Sequence, residues 1–175
     1  MRKEMKTKTM TQTALMTAVI CILAPMTIPI GAVPVSLTNL AVCLSVYLLG
    51  LKRGTLSYLI YYILGCFGLP VFSGFQGGLA KALGPTGGCL IGFFLLALIS
   101  GIFIEKSGKK YIHLLGMILG GIAVYCVGVP WFAFVTQTSM KQAFMTACAP
   151  FILIDILKCV FVLLVGNEIK KRLPR

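Results

Sequence analysis

The sequence predicts an all-α integral membrane protein, a single bundle of six transmembrane helices spanning residues 1–175, and three observations predict it. Charged residues make up 11% of the chain and hydrophobic residues 58%, whereas a soluble domain carries about 25% charged residues. Most of the outer surface must therefore face lipid, as the mean hydropathy of +0.98 also implies. Secondly, thirteen of the sixteen basic residues sit in four clusters separated by long, nearly uncharged runs. The clusters are Arg2, Lys3, Lys6 and Lys8; Lys52 and Arg53; Lys106, Lys109 and Lys110; and Lys170, Lys171, Arg172 and Arg175. Cytoplasmic loops have this distribution under the positive-inside rule. Thirdly, a membrane crossing needs roughly 20 residues, so a chain of 175 residues suits one compact domain of several crossings joined by short loops.

The uncharged stretch between Lys8 and Lys52 is long enough for two crossings. Pro25, Pro29, Gly31 and Pro34 divide it, since proline removes a helix donor and clashes with the preceding turn. Helix 1 is expected from about Thr11 to Ile28, helix 2 from about Ser36 to Leu51, and helix 3 from about Gly54 to Phe67. The basic amino terminus and its apolar continuation resemble a signal peptide. No small-x-small cleavage site follows, so the segment is read as a retained first helix. Residues 68–88, GLPVFSGFQGGLAKALGPTGG, hold seven glycines and two prolines in 21 residues. Irregular backbone of this kind is tolerated at membrane depth only where it lines a cavity or is buried in protein. Helix 4 is expected from about Cys89 to Ile104, and helix 5 from Ile112 to Val129, ending in a Pro130–Trp131 turn. Helix 6 begins after Lys141 and ends near Gly166. Six helices place both termini and all four clusters in the cytoplasm, with Lys81 and Lys141 outside and Lys158 within the membrane. There is no internal repeat to suggest an inverted-repeat carrier.

Several function classes are excluded. The net charge of +12 lies in loop clusters, so nucleic-acid binding is not expected. The seven cysteines are dispersed through apolar segments without metal-ligand spacing, so they read as small packing residues and no metal or cofactor is expected. One histidine and four acidic residues offer little for an enzyme. The GPTGG run at 84–88 lacks the lysine and Ser/Thr of a phosphate loop, which removes an ATPase. His113, next to a basic cluster, is expected to be solvated.

Asp155 and Lys158 are the ionisable residues deep in a predicted helix. Three positions apart, they share one helical face, and ionisable groups at membrane depth usually mark function. They offer an anionic acceptor and a cationic donor to a polar ligand, or else form a structural ion pair. Gly84, Pro85, Thr86, Gly87 and Gly88 form the second candidate, because glycine lets main-chain groups approach a small ligand closely. Asn39, Gln76 and Lys81 are further candidate contacts, with Tyr58, Tyr62, Phe75 and Trp131 as aromatic walls. Trp131 is equally placed for an interfacial belt. Ala14 and Ala18 make a small-residue strip on helix 1, for which packing within the bundle is the simpler reading.

The run VPVSLTNL…GLKRGTLSYLIYYILGCFGLPVF…LGPTGGCLIGF, with the later APFILIDILK, resembles the BioY family, the biotin-specific S components of energy-coupling-factor transporters. The resemblance covers Ala14 to about Lys158. It implies a six-helix S-component bundle in the bacterial cell membrane with biotin bound near the outer face. A transmembrane scaffold subunit and two cytoplasmic ATPase subunits are implied as partners, ATP being used only by the latter. Asp155 and Lys158 match the family's ligand-contacting D-x-x-K, residues 84–88 its glycine motif, and Ala14 and Ala18 its scaffold-docking alanines. The chain departs from the pattern at Thr38, where members often carry glutamine, and at Cys89, where tyrosine often follows GPTGG. An S component for another vitamin, or a stand-alone proton-coupled carrier, are the alternatives.

Overall fold

Apolar runs with small residues at their crossing points fold into helices whose backbones approach closely, and such crossings organise the bundle. The computed structural model describes residues 2–28 and 35–172. Among them the elements run α1 (Arg2–Leu23), β1 (Thr27–Ile28), β2 (Val35–Ser36), α2 (Thr38–Leu49), α3 (Leu51–Cys66), α4 (Leu79–Ala82), α5 (Gly87–Lys106), α6 (Lys110–Thr136), α7 (Met140–Ala147) and α8 (Ile152–Arg172). The strands form a short antiparallel pair, Thr27 opposite Ser36 and Ile28 opposite Val35. α5 and α6 are each long and apolar enough to cross a membrane, and α7 with α8 makes a third such element, bent by 42°. α2 is a shorter apolar helix of 12 residues.

The core lies where α2, α3 and α5 meet. Val42, Val46, Tyr58, Tyr61 and Leu96 are fully buried there together with Ile20 of α1. The Tyr58 hydroxyl donates to the Leu90 carbonyl at 2.7 Å, so its burial leaves no unpaired donor. Large apolar side chains also cover the outside, among them Leu59, Ile63, Leu98, Leu115, Leu157, Phe161 and Leu164. A bundle apolar on both its inner and outer faces is built for lipid; the protein is a multi-pass membrane protein. α2 and α3 cross at Gly54, where a Cβ would lie 2.5 Å from the Cα of Val46. Ser45 Oγ donates to the Gly54 carbonyl at 3.1 Å at the same crossing. α1 and α3 are joined by hydroxyl bonds: Thr17 Oγ1 donates to the Ser57 carbonyl at 3.2 Å and Ser57 Oγ to the Thr13 carbonyl at 3.1 Å.

The glycine-rich segment satisfies its own backbone against its neighbours. The Phe72 amide donates to the Gln76 carbonyl at 2.8 Å, Gly74 to Pro25 at 3.1 Å, and Gly78 to Gly65 at 2.7 Å. Phe72 is fully buried, edge-on to Tyr61 at 5.7 Å between ring centroids.

The described basic clusters converge on one end of the bundle. Arg53 donates to Gln12 of α1 at 3.1 Å. The Leu51 amide, beside Lys52, donates to the Glu105 carboxylate at 2.8 Å, an acidic partner at the N-terminus of α3. Lys170 Nζ stands 4.3 Å from the centroid of Tyr47, whose ring also meets His113 edge-on at 5.7 Å.

Several boundaries differ from expectation. α1 ends at Leu23, earlier than anticipated, while the Pro29, Gly31 and Pro34 part of the expected break lies outside the described residues. α6 does not turn at Pro130 but continues to Thr136. A proline deprives the helix of one backbone bond, a loss this 27-residue helix absorbs, and it stops instead at Gln137 in the left-handed region (φ +55°). Helix 6 is two pieces, and Pro150 sits in the break between them. His113 is buried rather than solvated: its Nε2 lies 2.6 Å from the Ser107 carbonyl, and a carbonyl can only accept, so Nε2 carries the proton.

The α2–α3 crossing yields a direct test. Gly54→Leu forces these helices apart, and overpacking of this kind typically costs about 1–3 kcal/mol. Thermal unfolding in detergent should show a clear drop in midpoint; an unchanged midpoint would remove the crossing as a determinant of the fold.

Candidate functional site

The candidate site is a recess at the opposite end of α8 from its basic tail. α8 opens just after the Pro150 break, and its first turns carry Asp155 and Lys158 on the face toward α2 and α6. Lys158 is buried to 9% exposure. Its Nζ donates to Asp155 Oδ1 at 3.0 Å and to the Ser36 carbonyl at 2.8 Å, so the ammonium joins α8 to β2. The other carboxylate oxygen, Asp155 Oδ2, accepts from the Tyr125 hydroxyl of α6 at 2.5 Å. Both oxygens are thus engaged by donors from different parts of the fold.

Ser36, Thr38 and Asn39 supply one wall of the recess, Ser73 and Thr86 a second, and Tyr125, Asp155 and Lys158 a third. Phe93, Val124 and Phe151 provide apolar and aromatic surface between them. Thr38 Oγ1 accepts from Ser36 Oγ at 2.9 Å, and Asn39 Oδ1 accepts from Cys43 Sγ at 3.4 Å. Thr86 Oγ1 is different: it is buried and has no hydrogen-bond partner. An unpaired buried hydroxyl costs about 1–3 kcal/mol, and here it stands in the wall of a polar recess. The recess encloses about 90 Å³, below the roughly 300 Å³ of the smallest ligand pockets. A ligand of that size requires wall side chains to move.

The structure brings Asp155, Lys158, Thr86 and Asn39 of the sequence candidates together around this recess. The rest of the glycine motif serves packing. A Cβ on Gly87 would fall 2.2 Å from the Ala82 carbonyl oxygen, and one on Gly88 would fall 2.3 Å from Trp131 Cβ. The Gly84 carbonyl accepts from Trp131 Nε1 at 2.9 Å, and Pro85 is exposed beside it. This packing sets the start of α5, with Thr86 at its N-cap position, and so aims Thr86 at the recess.

Tyr62, Gln76 and Lys81 are not among the recess walls. Tyr62 packs on Phe72 and Phe94, Gln76 is exposed, and Lys81 lies half-buried on α4, where desolvation lowers its ammonium below the ordinary lysine value. Of the expected aromatic walls, Tyr58 is in the core, Phe75 is exposed and Trp131 braces Gly84. Phe93, Phe151 and Tyr125 line the recess instead. Nothing in their local sequence distinguishes these three from other aromatic residues of apolar helices, so only the fold reveals them. Ala14 and Ala18 are exposed on α1, contrary to the expectation of internal packing. They border an apolar groove against α3, lined also by Met10, Leu56, Ile60 and Leu64.

Fold and recess together define a membrane-embedded helix bundle with a small recess, lined by polar and apolar side chains, between its helices. The model of the BioY family matches residues 1–175, and the chain belongs to that family. It is 37% identical over 166 residues to the probable biotin transporter BioY of Pyrococcus horikoshii, covering 95% of this chain and 98% of that protein. It is 38% identical over 155 residues to the biotin transporter BioY of Thermotoga maritima, covering 89% and 91%. The crystal structure at 2.1 Å of the S-component for biotin from an ECF-type ABC transporter superimposes with a TM-score of 0.90 at 33% identity, covering 98% of this chain and 95% of that one.

Thr86 supplies the prediction for this site. Because its hydroxyl has no partner, Thr86→Val should leave the ligand-free protein at least as stable as the parent, since removing an unsatisfied buried polar atom is neutral or favourable. A fall in unfolding midpoint would show that the hydroxyl is already satisfied within the fold.

Proposed function

We propose that this chain is the biotin-binding S component of an energy-coupling-factor importer, a binding subunit and not an enzyme. The observation that carries this reading is the Asp155–Lys158–Thr86 recess, set in a chain of the BioY family whose fold matches a biotin S component closely. Biotin carries a ureido ring with two N–H donors and one carbonyl, an apolar thiophane ring, and a carboxylate on an alkyl chain. Asp155 is the acceptor for ureido N–H groups. Lys158 is the donor for the ureido carbonyl or the carboxylate, and such charge-assisted bonds are the stronger kind. Thr86 gains the partner it lacks, while Phe93, Val124 and Phe151 receive the apolar ring. Lys158 spans Asp155 and Ser36 on a long flexible stem, so its displacement widens the recess for the ligand.

The partners follow from the same reading. A scaffold subunit packs on the exposed Ala14/Ala18 face of α1, and two ATPases drive uptake from the cytoplasm. The chain itself holds no cofactor, biotin being its cargo. The convergence of basic clusters at one end supports placing that end, with both termini, in the cytoplasm.

Binding of labelled biotin to the purified chain in detergent tests the ligand, with thiamin and riboflavin as competitors. Truncating one partner of a buried charged pair typically costs about 2–5 kcal/mol, and each 1.4 kcal/mol is about tenfold in affinity. Asp155→Asn and Lys158→Met should therefore each weaken biotin by roughly thirtyfold or more. Affinities within about threefold of the parent for both would remove the recess as the binding site.

Orientation is tested by Gly108→Cys in a background lacking the seven native cysteines. An impermeant thiol reagent should label it only after the cells are opened, and labelling of intact cells would invert the topology.

A further inference from the structure

We infer that Tyr125 is a positioning residue for the bound ligand: it fixes the Asp155 carboxylate and closes the recess against a lipid-facing groove. This rests on the functional reading above and deepens it. A carboxylate has about four acceptor sites on its two oxygens. Lys158 Nζ occupies one on Oδ1 and the Tyr125 hydroxyl one on Oδ2. The remaining acceptor sites serve a ligand with two N–H donors, provided the carboxylate cannot rotate. Lys158 alone cannot prevent rotation, because it holds only Oδ1 and leaves Oδ2 to swing about that bond. Tyr125 comes from α6, thirty positions away in the chain, and supplies the second fixed point.

The surroundings show why the second point is needed. Between α6 and the α7–α8 element runs a groove of about 630 Å³, walled by apolar residues that include Met117, Ile122, Phe144, Ile152 and Ile156. Ile122, Phe144, Ile152 and Ile156 are exposed, so the groove opens to the bilayer. Asn39, Tyr125 and Asp155 line this groove and the recess alike. The partition between binding site and lipid is therefore formed at the Tyr125–Asp155 hydrogen bond. Turned toward the groove, the carboxylate would meet hydrocarbon, where an unpaired charge is costly. The tyrosine ring blocks that path, and its hydroxyl holds the acceptor toward the ligand in surroundings of low dielectric, where a hydrogen bond is stronger than in water.

The test reads Asp155 directly by infrared difference spectroscopy. The chain has only four acidic residues, so the Asp155 carboxylate band is assigned by its loss in Asp155→Asn. In the ligand-free protein Tyr125→Phe, which keeps the ring, should shift that band. Loss of a hydrogen bond to a charged group should also weaken biotin roughly tenfold. Gly121→Leu serves as the control. A Cβ at Gly121 meets nothing within 4 Å and its side chain fills the groove, so both band and affinity should stay within about twofold of the parent. Fluorotyrosine at position 125, a stronger donor of the same shape, should move the band in the opposite direction and provides the readout if Tyr125→Phe fails to fold. An unmoved band in both Tyr125 variants would overturn this inference even if the parent binds biotin. A parent that fails to bind biotin overturns the functional reading instead, while the band still reports on the Tyr125–Asp155 contact.

Discussion

A buried ammonium has to be both neutralised and hydrogen-bonded, and the way Lys158 meets this requirement organises the site. Its Nζ reaches the Asp155 carboxylate one turn back on α8 and the Ser36 carbonyl at the end of β2. One side chain thus ties the last long helix to the connection between α1 and α2. Breaking a buried pair by removing one member is costly, because the other charge is left without a partner. The same cost confers responsiveness: a ligand that supplies replacement partners for Lys158 and Asp155 can displace the internal bonds at little net expense.

The bundle was legible in the sequence because lipid imposes a strong compositional rule. Charge-free runs of crossing length, basic clusters and proline breaks sufficed for the order of the helices and for the approximate position of most of them. Helix ends were less legible. Pro130 looked like a terminator, yet α6 passes through it because the penalty of one missing donor is small beside the packing of a long helix on α5. Ala14 and Ala18 read more simply as internal packing residues, and their exposure on α1 overturns that reading.

The site was half legible for a physical reason. Asp155 and Lys158 declare themselves because charge is rare at membrane depth, and Thr86 lies in a conspicuous glycine run. The glycines themselves do something different from what their flexibility suggested, since Gly87 admits the Ala82 carbonyl and Gly88 the Trp131 side chain. That packing holds the start of α5 in place and leaves the neighbouring threonine facing inward. Tyr125, Phe93 and Phe151 carry no such mark, because an aromatic residue in an apolar helix looks the same whether it lines a cavity or fills the core.

The separation of charge along the bundle has a kinetic consequence. Screening confines the influence of exposed charges to about 8 Å at physiological salt, while a helix of 21 residues such as α8 extends about 30 Å. The clustered lysines and arginines at its basic end are therefore electrostatically invisible at the recess. The strongly basic character of the chain therefore steers nothing toward the recess. On the proposed function, capture is left to diffusion and to the frequency with which the recess opens, while the excess charge lies at the other end of the bundle.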